Sequence, residues 1–128
     1  MKIPIHISEE SREPIYHQIE TQIKTMIATG QLPPETPLPS IRALASDLGC
    51  SVITTRRVYQ NLEIAGYIKT IQGKGTFVRR LEEEQLHHTK QKAVYDAFEK
   101  AVEQGLQLGC TKVELDTIFK EVVNKYYS

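Results

Sequence analysis

Two adjacent arginines and a glutamine are the residues of this sequence whose types and spacing best fit contact with a nucleic acid. Arg56, Arg57 and Gln60 lie within five residues of one another, with no acidic residue between them. Arginine can donate two hydrogen bonds to guanine O6 and N7 or hold a phosphate, and glutamine can pair with adenine. Ile53, one helical turn earlier, can contact the methyl group of thymine. Presented on one helix face, these residues predict a surface that lies in the major groove of DNA.

A helix from Ser51 to about Ala65 is predicted to position these residues. At 100° per residue, the side opposite the polar group carries four residues that predict a core face: Thr55, Val58, Tyr59 and Leu62. A shorter predicted helix precedes it, with Ser40 as its N-cap and Gly49 at its end. Two helices separated by a tight, glycine-containing turn are typical of a helix-turn-helix motif.

Contacts to the DNA backbone are predicted around both helices. Ser51 and Thr54, at the start of the second helix, offer hydroxyl groups and first-turn amides, which suit a phosphate. Arg42, near the start of the first helix, is predicted to contact a phosphate of the DNA backbone.

A β-hairpin is predicted directly after the second helix. Two short runs of β-branched and aromatic residues, 67–71 and 76–79, surround a glycine-rich turn. Gly73 and Gly75 permit positive φ and close approach to another molecule, and Lys74 lies at the tip. The hairpin therefore predicts a wing that braces on phosphates or enters a minor groove.

The charge distribution supports this assignment of the DNA-contacting part. The 128 residues carry no formal net charge, yet residues 1–80 have three more basic than acidic residues and residues 81–128 have three more acidic than basic ones. A basic segment joined to an acidic one fits a nucleic-acid-binding part linked to a part that does not touch the polyanion. Chance clustering is the alternative on charge alone.

Two further helices are predicted after residue 80. Thr111 and Glu114 form a capping box at the start of the last one. About 48 residues are too few to bury a core of their own, so the apolar stripes on these helices need another surface. A second copy of the chain is predicted to cover them, with the winged-helix body as the alternative. The predicted dimer-interface residues are Val94, Phe98, Val102, Leu115, Ile118, Phe119 and Val122.

Ahead of the helix-turn-helix, three features complete the predicted organisation. Residues 3–7 alternate like a short strand, but Pro4 limits them to an edge or an arm. Pro14 begins a helix that Gly30 closes. Four prolines within 32–39 predict a stiff surface crossing. The predicted fold is mainly α, a winged helix-turn-helix domain (1–80) with a short C-terminal helical dimerisation tail (81–128).

The sequence gives little support for catalysis, metal binding or a membrane location. Cys50 and Cys110 lack the spacing of a zinc motif or a disulfide framework, and the four histidines lack metal-ligand spacing. No phosphate-binding loop or nucleophile motif is present. We expect no enzyme activity, no cofactor and no metal. The absence of a signal peptide and of a long apolar run predicts a soluble cytoplasmic protein.

Several motifs at fixed spacings resemble the GntR family of bacterial regulators over roughly residues 14–80. They are Leu38-Pro39-Ser40-x-Arg42-x-Leu44-Ala45, Leu48-Gly49-x-Ser51, Gly66-Tyr67-Ile68 and Gly73-x-Gly75-Thr76-Phe77-Val78. The segment Pro14-Ile15-Tyr16-x-Gln18-Ile19, with Tyr59 and the two-helix tail, is similar to the YtrA subfamily.

The resemblance implies a dimeric repressor that binds an inverted-repeat operator, often one controlling genes for a transporter. It implies DNA contacts at six positions: Arg42, Ser51, Thr54, Arg56, Gly73 and Gly75. Two departures matter: Val52 replaces a basic residue that is frequent in the family, and Glu35 replaces a usual glycine. The tail is too short for the large effector domain of other subfamilies, so a small-molecule effector, if one exists, is unknown.

Two other classes of function remain open from the residues alone. A winged helix can also serve as a protein-interaction module or an RNA binder, but such modules generally lack the paired arginines seen at Arg56 and Arg57. A small-molecule enzyme is the weakest alternative. Binding to double-stranded DNA discriminates among the three.

Overall fold

The computed structural model describes residues 2–127, which form five helices and a two-stranded antiparallel sheet. The elements in chain order are α1 (Ile15–Ala28), α2 (Ile41–Leu48), α3 (Val52–Ile64), β1 (Ile68–Ile71), β2 (Gly75–Val78), α4 (Glu83–Gln107) and α5 (Lys112–Tyr126). The predicted fold class, a mainly α winged helix-turn-helix with C-terminal helices, is confirmed. No helix among these residues is both long and apolar enough to cross a membrane.

The chain divides into two compact units, the first ending at Lys90 and the second beginning at Gln91. The division falls inside α4, because the first turns of that helix belong to the first unit. There Gln85 Nε2 donates to the Ala65 carbonyl (2.9 Å), and the hydroxyls of Thr89 and Tyr67 lie 2.6 Å apart. A boundary at residue 80 stays a prediction about which segment folds independently.

The core of the first unit takes side chains from α1, α2, α3 and the hairpin. Burial of large aliphatic side chains is the main force that holds such a unit together. The fully buried large apolar residues are Ile19, Ile23, Leu44, Val58, Leu62, Ile68 and Val78. The predicted core face of α3 is confirmed, since Thr55, Val58, Tyr59 and Leu62 are all buried.

Residues 2–8 form an arm along α1 rather than a strand, and residues 9–13 form bends that lead into the helix. Gln22 bonds both backbone groups of His6: its Oε1 accepts from the amide (2.9 Å) and its Nε2 donates to the carbonyl (2.7 Å). Gln18 bonds both backbone groups of Ser8 in the same way, at 2.8 and 3.1 Å. The two glutamines thus provide the hydrogen bonds that a neighbouring strand would provide.

The caps predicted for the helix-turn-helix are confirmed. Ser40 Oγ accepts from the Ala43 amide (3.1 Å) at the start of α2, and Ser51 Oγ accepts from the Thr54 amide (3.0 Å) at the start of α3. Gly49 ends α2 with φ of 67°, a left-handed conformation that glycine adopts without a Cβ clash. These local signals fix where the two helices begin and end.

The hairpin pairs Ile68 with Val78 and Ile71 with Gly75, as a wing should. The proline-rich linker (32–39), predicted as a stiff surface segment, also pairs with β2, which the sequence did not indicate. The Leu38 amide donates to the Thr76 carbonyl (2.8 Å), and the Val78 amide donates to the Thr36 carbonyl (3.0 Å). Strand β2 therefore has hydrogen-bond partners along both of its edges.

Glu35 is the single described non-glycine residue with positive φ, at 69°. It occupies the position where the family resemblance implies glycine. Left-handed backbone is unfavourable for a residue with a Cβ. Two contacts hold it there: its amide donates to the Val78 carbonyl (2.8 Å), and Lys69 Nζ donates to its carboxylate (2.8 Å).

The second unit contains the rest of α4 and the helix α5. The predicted capping box is confirmed: Thr111 Oγ1 accepts from the Glu114 amide (3.2 Å), and the Glu114 carboxylate accepts from the Thr111 amide (3.0 Å). A Cβ built on Gly105 would lie 2.6 Å from Leu115 Cδ2. The absence of a side chain at Gly105 therefore lets α5 approach α4 closely at this point.

Candidate nucleic-acid interface

The exposed face of α3 lies opposite its buried face and carries the predicted base-contacting residues. Ile53 is 77% exposed, and Arg56, Arg57 and Gln60 are also exposed. An exposed isoleucine beside two exposed arginines is complementary to the methyl groups and acceptors of a major groove. Contact of these four residues with DNA stays a prediction.

At the start of α3, the two hydroxyl groups predicted to contact a phosphate also contact each other. Ser51 Oγ donates to Thr54 Oγ1 (2.8 Å) while it accepts from the Thr54 amide. The hydroxyl proton of Ser51 is therefore already donated to Thr54, and the hydroxyl proton of Thr54 is the one that can be donated to a ligand. The amides of Val52 and Ile53 lie in the same first turn, which favours an anion.

Arg42 and the wing residues extend the exposed basic surface of the first unit. Arg42 is exposed in the first turn of α2. At the wing tip, Gly73 and Gly75 have φ of 80° and 119°, and the Lys74 amide closes the turn on the Ile71 carbonyl (2.9 Å). The Lys74 side chain is exposed. All ten predicted DNA-contacting residues thus lie in the first unit, and nine of them are exposed.

Three contacts that the sequence did not indicate fix α3 in place. Tyr59 Oη donates to the Pro39 carbonyl (2.6 Å) just ahead of α2, and burial raises the pKa of this hydroxyl. Asn61 donates to the carboxylate of the buried Glu20 on α1. Arg57 places its guanidinium carbon 3.7 Å from the centre of the Tyr16 ring. Each contact joins residues far apart in sequence, so no local pattern could reveal it.

A second candidate surface lies between α4 and α5 in the second unit. An open groove of about 320 Å³ runs between the helices. Its lining includes six of the seven residues predicted to form a dimer interface: Phe98, Val102, Leu115, Ile118, Phe119 and Val122. The seventh, Val94, is 57% exposed on α4. Phe98 and Phe119 bring their ring centres within 5.5 Å of each other, yet both remain about half exposed.

Metal and thiol chemistry find no assembled site among residues 2–127. No three metal-ligating side chains of His, Cys, Asp or Glu come together in that part of the chain. Cys50 and Cys110 are both free thiols. Cys50 packs beside the core, with its Sγ 3.2 Å from Thr55 Oγ1, which fits a small residue that fills space between α2 and α3.

Residues 15–78, half of the chain, match the model of the bacterial regulatory proteins of the gntR family. Three relatives come from Bacillus subtilis (strain 168). The transcriptional repressor NagR is 42% identical over 81 residues, which cover 63% of this chain and 33% of NagR. The uncharacterized regulator YhcF is 34% identical over 83% of this chain and 87% of its own length. The repressor YtrA is 38% identical over 58% and 57%. The chain thus spans a third of NagR but most of YhcF.

Solved structures agree with these sequence matches. A GntR family transcriptional regulator from Listeria monocytogenes superposes with a TM-score of 0.67 at 27% identity, over 88% of this chain and 97% of that one. AraR(DBD) in complex with operator ORX1 superposes with a TM-score of 0.53 at 26% identity, over 61% and 98%. The first match extends over both the winged helix and the C-terminal helices, and the second places a similar fold on an operator.

Proposed function

We propose that this chain acts as a dimeric repressor on an inverted-repeat operator. It belongs to the GntR family of bacterial regulatory proteins and is YtrA-like. It is therefore a DNA-binding transcription regulator rather than an enzyme. In this proposal α3 lies in the major groove, and the wing contacts the backbone or the minor groove. The two copies place their α3 helices in successive half-sites. The protein acts in the cytoplasm, where the DNA of a bacterial cell lies.

The exposed face of α3 carries this proposal. Arg56, Arg57 and Gln60 present donors in a row, and the caps and side-chain contacts described above hold their helix rigidly on the first unit. A rigid helix loses little conformational freedom when it binds, which leaves more of the contact energy for affinity. AraR(DBD), whose fold is similar, is in complex with an operator, and this supports DNA as the partner of the same region here.

The exposed apolar groove of the second unit supports a second copy of the chain as the other partner. An exposed contiguous apolar surface commonly marks a site of interaction with another molecule. The groove is lined almost wholly by apolar side chains, with Phe98 and Phe119 about half exposed in it. Packing two such surfaces about a two-fold axis buries both and gives the symmetry that an inverted repeat requires.

Repression, rather than activation, is proposed because NagR and YtrA are both named repressors. A transporter-type operon as the target rests on the family resemblance alone. No effector is proposed, since we assign the apolar groove of the second unit to dimerisation.

Selection of bound duplexes from a random pool tests the proposal directly. We expect the purified full chain to enrich an inverted repeat whose half-sites lie about one helical turn apart, near 10 base pairs. Enrichment of a single unrepeated site, or preference for single-stranded RNA, contradicts the dimeric DNA-binding function. A reporter gene downstream of the selected site should then be expressed less when the protein is present, and higher expression contradicts repression.

A further inference from the structure

The stack of Arg57 on Tyr16 holds one exposed arginine of α3 against the surface of the first unit. The guanidinium carbon lies 3.7 Å from the ring centre, which is the separation of two flat groups in contact. Tyr16 is partly buried and packs against the core of the first unit. Arg56, the neighbouring arginine, is exposed and stacks on no aromatic ring within residues 2–127. The two adjacent arginines therefore differ in how strongly the protein orders them.

A second contact between the same two helices sets the register of this stack. Asn61 lies four residues after Arg57 on α3, and Glu20 lies four residues after Tyr16 on α1. Residues four apart share a helix face. Asn61 donates to the carboxylate of Glu20, which is only 7% exposed. The bond between Asn61 and Glu20 and the stack of Arg57 on Tyr16 are thus two successive rungs between one face of α1 and one face of α3.

Stacking leaves the hydrogen-bonding edge of the guanidinium free. The five N–H groups of arginine point outward in the plane of the group, while the tyrosine ring covers one face of that plane. Bidentate recognition of guanine O6 and N7 uses the in-plane edge. Ordering the side chain before DNA arrives removes part of the entropy that binding would otherwise lose.

We propose that Tyr16 is a positioning residue that holds the Arg57 guanidinium for recognition of one base pair in each half-site. This inference rests on the proposed function, because it requires α3 to lie in the major groove. It assigns sequence discrimination to a residue on α1, outside the helix-turn-helix and the wing. Arg56, which does not stack on an aromatic ring, is then the better suited of the two to contact the phosphate backbone.

The test compares discrimination between base pairs in variants of the full chain. Dissociation constants are measured for the selected operator and for a set with one base pair changed symmetrically in both half-sites. Arg57→Ala identifies the position that Arg57 recognises. Tyr16→Leu should lose about 5- to 30-fold of the discrimination at that position, from a stack of ordinary strength in each of two subunits, and little elsewhere. Tyr16→Phe, which keeps the ring, should retain wild-type discrimination.

Two controls separate positioning from other effects. Ile7→Ala removes a different side chain that packs against the same core, so it should lower the melting temperature without changing base preference. The double variant Tyr16→Leu/Arg57→Ala should discriminate no less than Arg57→Ala alone. The inference is overturned if Tyr16→Leu weakens binding to all duplexes equally, or if it tightens binding because the stack had held Arg57 away from DNA. Failure of the wild-type protein to select any duplex overturns the proposed function instead.

Discussion

The two units of this molecule differ in how completely their helices bury the apolar side chains that they carry. In the first unit, α1, α2, α3 and both wing strands each contribute a fully buried residue: Ile19, Leu44, Val58, Ile68 and Val78. Among the described residues from Gln91 to 127, Gly105 alone is buried. Phe98 and Phe119 touch across the helices, and both stay about half exposed.

The difference teaches that forming helices and forming a core are separate requirements. Helix α5 has a complete capping box and a regular apolar stripe, so its local signals are as good as those of α3. Within the second unit no further described element closes over its stripe, because two helices leave one side of each other uncovered. We infer that the first unit holds charged groups in fixed positions, while the second offers apolar surface to a partner.

Salt gives the largest expected effect, and it should act through the first unit alone. If Arg42, Arg56, Arg57 and Lys74 meet DNA in both copies, log affinity should fall with log salt with a slope of roughly −4 to −7. Between 50 and 200 mM salt the affinity would then drop roughly 10²- to 10⁴-fold. Fluorescence anisotropy with a labelled operator measures this slope.

A matched pair of lysine variants tests where the charges act. Lys74→Ala on the wing should reduce the slope by about 2, roughly 0.9 for each copy, and weaken all sequences nearly equally. Lys112→Ala, in the second unit, should leave the slope unchanged. A slope near zero for the wild-type protein, or equal changes in the two variants, would break the division of roles between the units.

A charge placed in the apolar groove should separate the two copies. Phe119→Asp puts a carboxylate where burial against a partner would require its desolvation. We expect the variant to be monomeric and to bind the full operator about 10²-fold more weakly, because it loses the second half-site. Sedimentation equilibrium and operator binding measure the two effects.

Thr117→Asp is the control for this variant, since it also adds one negative charge to α5, at an exposed position about 200° around the helix from Phe119. It should leave both the dimer and the operator affinity nearly unchanged. A Phe119→Asp chain that sediments as a dimer would show that the groove serves some other purpose.

A methyl group at Gly105 tests how closely α5 packs on α4. Alanine favours a helix over glycine by about 1 kcal/mol, but its Cβ would meet Leu115 at 2.6 Å, and such overpacking costs about 1–3 kcal/mol. We expect Gly105→Ala to be net destabilising by about 1 kcal/mol in urea unfolding. Adding Leu115→Ala should relieve the clash, so the two substitutions should show a favourable coupling. Independent, additive effects would contradict the close approach.

The smallest expected effect is at Glu35, where the first unit tolerates an unfavourable backbone conformation. Glycine removes the penalty of positive φ but increases the conformational entropy of the unfolded chain. Alanine keeps the penalty and also loses the exposed contact with Lys69, which is worth about 0–1 kcal/mol. We therefore expect Glu35→Gly to be about 1 kcal/mol more stable than Glu35→Ala, with the wild type between them or equal to the glycine variant. The reverse order in urea unfolding would show that the backbone here is not strained.

The elements of the fold could be predicted because their signals are local. Ser40, Ser51 and the pair Thr111 and Glu114 each cap a helix within four residues of themselves, and the glycines Gly49 and Gly73 mark turns directly. The separation of the faces of α3 followed from helical geometry. The exposed positions of Arg56, Arg57 and Gln60 could therefore be predicted.

What the sequence could not reveal are contacts between distant segments. The stack of Tyr16 on Arg57, the pairing of Gln18 and Gln22 with the arm, and the pairing of the linker with β2 each depend on the tertiary arrangement. A glutamine on a helix is ordinarily a solvated residue, and nothing in its neighbours shows that its amide will bond a passing backbone. Four prolines correctly excluded a helix from the linker, but they did not exclude hydrogen bonds from the residues between them.

The partners on both edges of β2 have a consequence for the exchange of amide protons with solvent. The Val78 amide donates to the linker carbonyl of Thr36 (3.0 Å), and the Arg79 amide donates to Tyr67 (2.9 Å) beside β1. Protons held in this way exchange only when the local structure opens. The amide protons at the base of the wing should therefore exchange with deuterium much more slowly than the amide proton of Gly73 at its tip, so that one hairpin contains both a slowly and a rapidly exchanging end.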